Sequence, residues 1–495
     1  MKNLFCFLLL SFISLYYSKL NAQVTEKNIN HTPVPRASKI SGLITDYNPA
    51  TDPRFVTFQT HDLMLSTSDT SVLINADGTF SAIITQPFDG DMGFMYDHEY
   101  ILLYFIAATD IHLTIDKYKW TTSKNIVEAV SFRGKTAEMI KLMGNFKFAY
   151  DQKTFNTIEQ WADTTKSDSV VAAVRIKKLH EELEFADNYF KENKITNKFF
   201  KGWEINKLKY STGCDISGNC FANPRKKSLI APALTNILKE INLDNIYAKH
   251  ISAYYNYLWL LGGNFQVMVN INPYYAASVT TNGKNPVPVY FELIDRYTSG
   301  FAKQSMYCEV YFRAGKNFTS PYINNFSSCI TDPYLKDAFI KRQLSATTFV
   351  PFNILEKIKA AKIDEVIQAR IIDFFEKDNQ HFIFIDFWGT WCSPCMSEMP
   401  LYRNLILQLS DENISFKFLA VSTNEKAATE VKEKNQIDGE FVILDDNETH
   451  LLNNILQFNN YPSHFLIAPN SIVIKRDFSR PITKDAIKQA ILAVK

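Results

Sequence analysis

Between residues 39 and 116 the apolar positions fall in short β-rich runs. They are Ile40–Thr45, Val56–Thr60, Val72–Asn75, Thr79–Thr85, Tyr100–Phe105 and Ile111–Ile115. Runs of this length with turn residues between them predict strands, and Asp77-Gly78 between two of them is a hairpin signal. A small β-sandwich is the expected architecture. The period then lengthens. Ile176, Leu179, Leu183, Ala186 and Phe190 recur every three or four residues, as do Ile230, Leu234, Ile237 and Ile241. That spacing places each set on one helix face, where core packing explains it without a cofactor. Leu335–Leu344 and Ile354–Phe375 extend the helical pattern.

From His381 the pattern alternates. Phe382–Phe387, Phe416–Ser422, Phe441–Leu444, Ser463–Ile467 and Ile472–Lys475 read as strands. Pro394–Leu409, Ala427–Asn435, His450–Leu456 and Ile482–Val494 read as helices. Strands joined by crossover helices, then an antiparallel pair and a last helix, predict an α/β sandwich. The expected organisation is a leader over 1–22 and a linker over 23–38. A β-sandwich over 39–120, a helical region over 121–365 and an α/β domain over 366–495 follow.

The chain has 495 residues, more than one core holds, which suits this multidomain reading. Its 53 basic and 52 acidic side chains balance, so no nucleic-acid partner is expected. Lys2 followed by the apolar run Leu4–Tyr17 has the form of a signal peptide, with a cleavage site near Ala22. The run is shorter than the roughly 20 apolar residues that span a bilayer. A retained membrane anchor is the alternative. Cys6 lies inside the run without small residues before it, which argues against lipidation. No later segment approaches transmembrane length, so the mature protein is expected to be exported without an integral membrane segment. Outside the cytosol cysteine pairs can stay oxidised. Cys214 with Cys220, and Cys308 with Cys329, either bridge or remain free buried thiols.

The stretch Phe387–Cys395 carries the chemistry. Cys392 and Cys395, two residues apart, can close a small disulfide ring, and they sit where a strand hands over to a helix N-terminus. Unpaired N–H groups and the helix dipole there stabilise an anion, hence a thiolate. A lone Cys-x-x-Cys can also be half a zinc site, but this chain has no second pair and no nearby histidine pair, so no metal is expected.

With Phe387-Trp388, Trp391-Cys392-Ser393-Pro394-Cys395, Glu398, Pro400 and Tyr461-Pro462, the last 115–130 residues resemble the thioredoxin fold. More closely, they resemble the exported disulfide reductases of the TlpA/ResA family. The resemblance implies a periplasmic thiol-disulfide oxidoreductase that needs no cofactor. It would take electrons from a membrane-bound donor and pass them to protein disulfides. Cys392 would be the exposed nucleophile and Cys395 the resolving thiol. Pro394 would stiffen the first helical turn, and Pro462 would be a cis-proline that brings the Tyr461 backbone against the cysteines. Asp386 and Glu398 are the candidate proton acceptors for the deeper thiol. A solvated helix face is the bland alternative for Glu398. Asp386 in an apolar strand has a weaker one, since burying a lone carboxylate is costly.

Ser393-Pro394 carries no positive charge to favour the thiolate, which points to a reductant rather than an oxidase or isomerase. The chain departs from the family at Ala468-Pro469-Asn470-Ser471, at the missing glycine near Phe478–Arg480, and at His464, where a small hydroxyl residue is common. The weaker likeness of residues 1–116 to the β domain of exported Bacteroidetes proteins rests on Gly78-Thr79-Phe80-Ser81 and the run Thr109–Asp116. His112 in that run reads as a surface strand residue. A redox-linked binding or assembly module is the main competing reading. A peroxidase would need a Thr/Ser-x-x-Cys centre, which Thr390-Trp391-Cys392 does not supply.

Overall fold

The computed structural model describes residues 36–494 apart from 62–66, 87, 156–167, 223–229, 272–286, 315–328, 348, 362–364, 459–460, 477 and 479–481. The leader over 1–22, with Cys6 and Ala22, and nearly all of the linker lie outside the described residues.

Eight strands come first: β1 (Arg36–Ile44), β2 (Phe55–His61), β3 (Thr67–Leu73), β4 (Thr79–Gln86), β5 (Gly90–Tyr96), β6 (Glu99–Phe105), β7 (Ile111–Ile115) and β8 (Val130–Arg133). They form two four-stranded sheets, ordered β4-β1-β7-β8 and β3-β2-β5-β6. Only the β1–β7 pairing among these is parallel. Ile40, Phe80 and Leu113 from one sheet and Val56, Phe58, Phe94 and Leu103 from the other are buried in one shared core. Phe58, Phe80 and Phe94 stack across it with centroids 5.4–6.5 Å apart. This is the expected sandwich.

Asp77-Gly78 does form a turn, with Gly78 at φ +81° and the Asn75 N–H donating to the Thr79 carbonyl at 2.8 Å. It is not a hairpin. β3 pairs with β2 and β4 with β1, so the turn carries the chain from one sheet to the other. β5 and β8 have no counterpart among the expected strands. β5 is buried along almost its whole length, so it shows no alternation to read.

The helices are α1 (Lys117–Thr122), α2 (Ala137–Asp151), α3 (Asp168–Glu192), α4 (Lys198–Ala222), α5 (Ile230–Glu240), α6 (Ser252–Ile271), α7 (Val287–Tyr297), α8 (Gly300–Ala314) and α9 (Pro333–Thr347). The two apolar stripes fall on α3 and α5. Leu179, Ala186 and Phe190, and Leu234 and Ile237, are buried in a core continuous with that of the sandwich. Among the described residues no helix is long and apolar enough to cross a membrane.

The bridged alternative for the other cysteines does not hold: Cys214, Cys220, Cys308 and Cys329 are in no disulfide. Cys214 and Cys220 lie on the same helix, α4. Six residues of helix separate two Cα atoms by about 9 Å, beyond disulfide reach.

The last sheet has six strands in the order β12-β11-β10-β13-β14-β9. These are β9 (Phe352–Asn353), β10 (Phe382–Trp388), β11 (Ile414–Val421), β12 (Glu440–Leu444), β13 (Ser463–Ala468) and β14 (Ile472–Arg476). Around it pack α10 (Ile354–Ala360), α11 (Glu365–Glu376), α12 (Ser393–Gln408), α13 (Glu425–Asn435), α14 (Asp446–Leu456) and α15 (Lys484–Leu492). The helix expected over Ile354–Phe375 is thus two helices, because the chain turns extended at Ala361.

Strand alternation builds the layers. Phe382, Phe384 and Trp388 of β10 enter one core with Met399 and Tyr402 of α12 and Ile487 of α15. Ile383, Ile385 and Phe387 enter the opposite core with α10, α11 and α14. β11 and β12 run parallel to β10, while β13 runs antiparallel beside it. α14 also meets the sandwich. His450 Nδ1 lies 2.7 Å from Ser71 Oγ, the Asn454 side chain donates to the Ser71 carbonyl, and Phe55 lies 5.4 Å from the His450 ring.

The sheet-switching turn gives a direct test. A Cβ on Gly78 would run into the Ile44 carbonyl oxygen, at a φ that side chains rarely adopt. Gly78→Ala is expected to destabilise the protein by about 1–3 kcal/mol. An unchanged urea midpoint would show that this turn bears no strain.

Candidate functional site

β10 ends at Trp388, and α12 begins five residues later, at Ser393. Gly389 opens the connection. A Cβ there would strike the Trp391 indole and approach the Val421 carbonyl to 2.9 Å. Trp391 Nε1 donates to that same carbonyl at 3.0 Å, and the Thr390 N–H donates to Thr423 Oγ1 at 3.1 Å. The loop is therefore tied to the C-terminal end of β11.

Cys392 is the N-cap of α12, and Pro394 occupies its first turn. Cys392 and Cys395 are joined in a disulfide, with their Cα atoms 5.2 Å apart. The Cys395 N–H points at Cys392 Sγ at 3.1 Å. In the reduced protein that donor and the N-terminus of a 16-residue helix would face a Cys392 thiolate. Proline at this point costs no hydrogen bond, because the first-turn N–H groups have no partner within the helix.

The expected exposure of Cys392 needs correction. In the disulfide form Cys392 is only 4% exposed and Cys395 fully buried. Capping turns the Cys392 sulfur inward over the helix end. The exposed group is Trp391, at 55%, its ring edge-on to Tyr461 with centroids 5.1 Å apart. The Tyr461-Pro462 peptide bond is cis. Burial pushes the Tyr461 phenol up to about 12.

Beneath the disulfide lies a cluster that sequence reading assembled only in part. Asp386 is buried on the face of β10 that meets α12, and Glu398 is nearly buried one turn after Cys395. The solvated alternative for Glu398 is thereby excluded. Between them stands His464, directly opposite Asp386 in the β10–β13 register. Its Nε2 is 3.4 Å from Asp386 Oδ1 and 3.4 Å from Glu398 Oε2. The Tyr402 hydroxyl donates to Asp386 Oδ2 at 2.9 Å, and its oxygen lies 3.1 Å from the same His464 nitrogen. With the Tyr402 hydrogen directed to Asp386, Nε2 faces acceptors only and so carries a hydrogen. Phe384 stacks on the imidazole at 5.8 Å.

His464 and Tyr402 are the site residues that sequence reading missed as such. His464 was visible as a family departure, and as a lone cation-former in an apolar strand. Asp386 is the matching lone polar residue of its own strand, and only the register pairs the two. Tyr402 is seven residues, two helical turns, beyond Cys395 on the same buried face.

Burial opposes a charge on His464, but the Asp386 and Glu398 carboxylates override it and raise its pKa from 6.5 to about 9. The unfolded chain loses this proton near pH 6.5, whereas the folded one keeps it until about 9. The stabilisation is therefore complete below pH 6.5 and is lost as the pH rises through 9, by on the order of 3 kcal/mol. The urea midpoint is expected to fall across that window in the wild type and to stay flat in His464→Gln. A fall of equal size in both would contradict this reading of the cluster.

Residues 362–476 match the family model described as AhpC/TSA family. Over 113 residues the chain is 32% identical to thiol-disulfide oxidoreductase ResA of Geobacillus thermodenitrificans, covering 23% of this chain and 63% of that protein. Over 93 residues it is 27% identical to ResA of Bacillus subtilis, covering 19% of this chain and 50% of that protein. The chain thus spans about half to two thirds of the length of the curated relatives it matches. Among solved structures, the thioredoxin domain of a thiol-disulfide oxidoreductase from Bacteroides vulgatus is similar, at 14% identity and a TM-score of 0.22. That match covers 23% of this chain and 81% of the other. The fold assignment rests on strand order and on the family match rather than on that likeness. Residues 362–476 thus match the AhpC/TSA family model and carry a thioredoxin-like sheet, in a chain that also holds a β-sandwich and a helical region.

Proposed function

We propose that this chain is an exported protein-disulfide reductase working through Cys392 and Cys395. The observation that carries the reading is a disulfide capping the N-terminus of α12 beside cis-Pro462, with Asp386, Glu398 and His464 buried behind it. Such a pair can shuttle two electrons between an external dithiol and an external disulfide. The likeness to proteins named thiol-disulfide oxidoreductase ResA supports the same chemistry.

In the reduced protein the Cys392 thiolate attacks one sulfur of a substrate disulfide, forms a mixed disulfide and expels the other sulfur as a thiolate. Cys395 gives its proton to a carboxylate of the cluster. It then attacks the Cys392 sulfur, reforms the Cys392–Cys395 bond and releases the second substrate thiolate. Trp391 and Tyr461 form the exposed aromatic rim on which a substrate segment would rest, with the Tyr461 backbone presented by the cis bond. Regeneration takes two electrons from a donor, which we place in the membrane, and the proton held by the cluster returns to Cys395.

Residues 1–22 would direct export to the periplasm, and a leader left uncleaved would tether the protein to the membrane facing that compartment. We place the redox unit from about residue 350 onward, because β9 joins its sheet. The sandwich over 39–120 and the helices up to about 347 would position it or present substrates. An oxidase or isomerase would use the same pair in the other direction, and the absence of a cation in Ser393-Pro394 favours the reductant. A redox-linked binding module remains the runner-up, since the disulfide and the buried acid cluster lie wholly within the last sheet and its helices.

Cys395→Ser is expected to accumulate mixed disulfides through Cys392, seen as reductant-sensitive adducts on non-reducing gels. Cys392→Ser is expected to give none and to reduce insulin disulfides at least about a hundredfold more slowly, the background left when a nucleophile is removed. Partner capture that persists in Cys392→Ser, with no insulin reduction by the wild type, would favour the binding module.

A further inference from the structure

The pair of buried carboxylates raises a question that the disulfide alone does not. Asp386 Oδ1 and Glu398 Oε2 each lie 3.4 Å from one nitrogen, so the two oxygens are within twice that distance of each other. Asp386 is 1% and Glu398 9% exposed. Two ionised carboxylates on either side of one buried nitrogen repel each other, and each charge favours a proton on the other. A protonated acid is no use as a base. What changes this is the imidazole between them. The charged and titratable groups facing His464 are Asp386 from β10 and Glu398 and Tyr402 from α12. Phe384 and Phe478 close the apolar side of the cluster.

We propose that His464 is a positioning residue that holds Asp386 and Glu398 ionised together, leaving Glu398 able to take the Cys395 proton in the resolving step. The inference rests on the reading of Cys392 and Cys395 as the redox pair. Glu398 is the acceptor because it lies one helical turn from Cys395 on the same helix, whereas Asp386 lies on the neighbouring strand β10. Proton and electrons balance within the step. Cys395 loses its proton to Glu398, and its sulfur pair forms the bond to Cys392 while the substrate sulfur leaves with the pair of the broken bond. The raised pKa of His464 accords with an imidazolium that stays charged at neutral pH. Because the three groups are in contact, their effect is read in the pH profile of the step rather than in one side chain.

The test uses the full-length reduced protein and the aromatic disulfide DTNB, which releases one coloured thiolate when Cys392 attacks and a second when Cys395 resolves. In the wild type the second release should be nearly independent of pH between about 6 and 8. In His464→Gln its acid limb should move up by about two pH units, slowing the step roughly tenfold at pH 6, as expected for a like-charge pair. Adding Asp386→Asn removes the second carboxylate, so the double variant should regain most of the wild-type profile although it is altered at two buried positions. A purely structural role for His464 predicts the opposite, a double variant worse than the single. A wild-type profile in His464→Gln, or both releases slowed alike at every pH, would overturn the proposal and leave the redox pair standing. Absence of the first release from the wild type would instead remove the reading on which it rests.

Discussion

The antiparallel pairing of β10 with β13 fixes everything at the disulfide end of this molecule. β10 is buried on both faces, and its alternation sends Phe384, Asp386 and Trp388 toward α12. The register then sets His464 against Asp386 and places cis-Pro462 just ahead of β13. A slip of one residue would turn His464 into the opposite apolar core and leave Asp386 without its ion pair. Such a slip would also exchange the apolar residues of the two cores, so packing and the buried charges favour the same register.

Helix α12 answers that constraint from above. Cys392, Cys395, Glu398 and Tyr402 follow one another along roughly three turns, with Cys395, Glu398 and Tyr402 facing the sheet. The disulfide sits at the electropositive end of the helix, and the acid cluster lies one to two turns below it. In the proposed cycle the electron pair stays with the sulfurs at the helix end while the Cys395 proton passes one turn down the same face. The aromatic rim, Trp391 against Tyr461, covers the column from the solvent side. Trp391 is held there by the Val421 carbonyl and by the missing side chain at Gly389.

Much of this was legible in the sequence, and the reasons for the rest are physical. Cys392, Pro394 and Cys395 announce themselves because few other arrangements use that spacing. The helix stripes on α3 and α5 are visible because period and burial coincide there. β5 was not legible, because a strand buried on both faces has no alternation. The Asp77-Gly78 turn was legible as a turn but not as a passage between sheets, since local chemistry says nothing about which partner the next strand will choose. His464 looked like a substitution in a strand, and its meaning depends on a cross-strand neighbour 78 residues away. The burial of Cys392 follows from how a cap folds its side chain over the helix end, which residue type alone does not settle.

The account centres on the direction of electron flow, and the equilibrium reduction potential of the Cys392–Cys395 pair tests it most directly. Titration of the full-length protein in a dithiothreitol redox series should give about −250 mV or lower, near the roughly −270 mV of thioredoxin, as a reductase requires. A value close to about −120 mV, that of a strong oxidase, would contradict the account and make the protein a donor of disulfides.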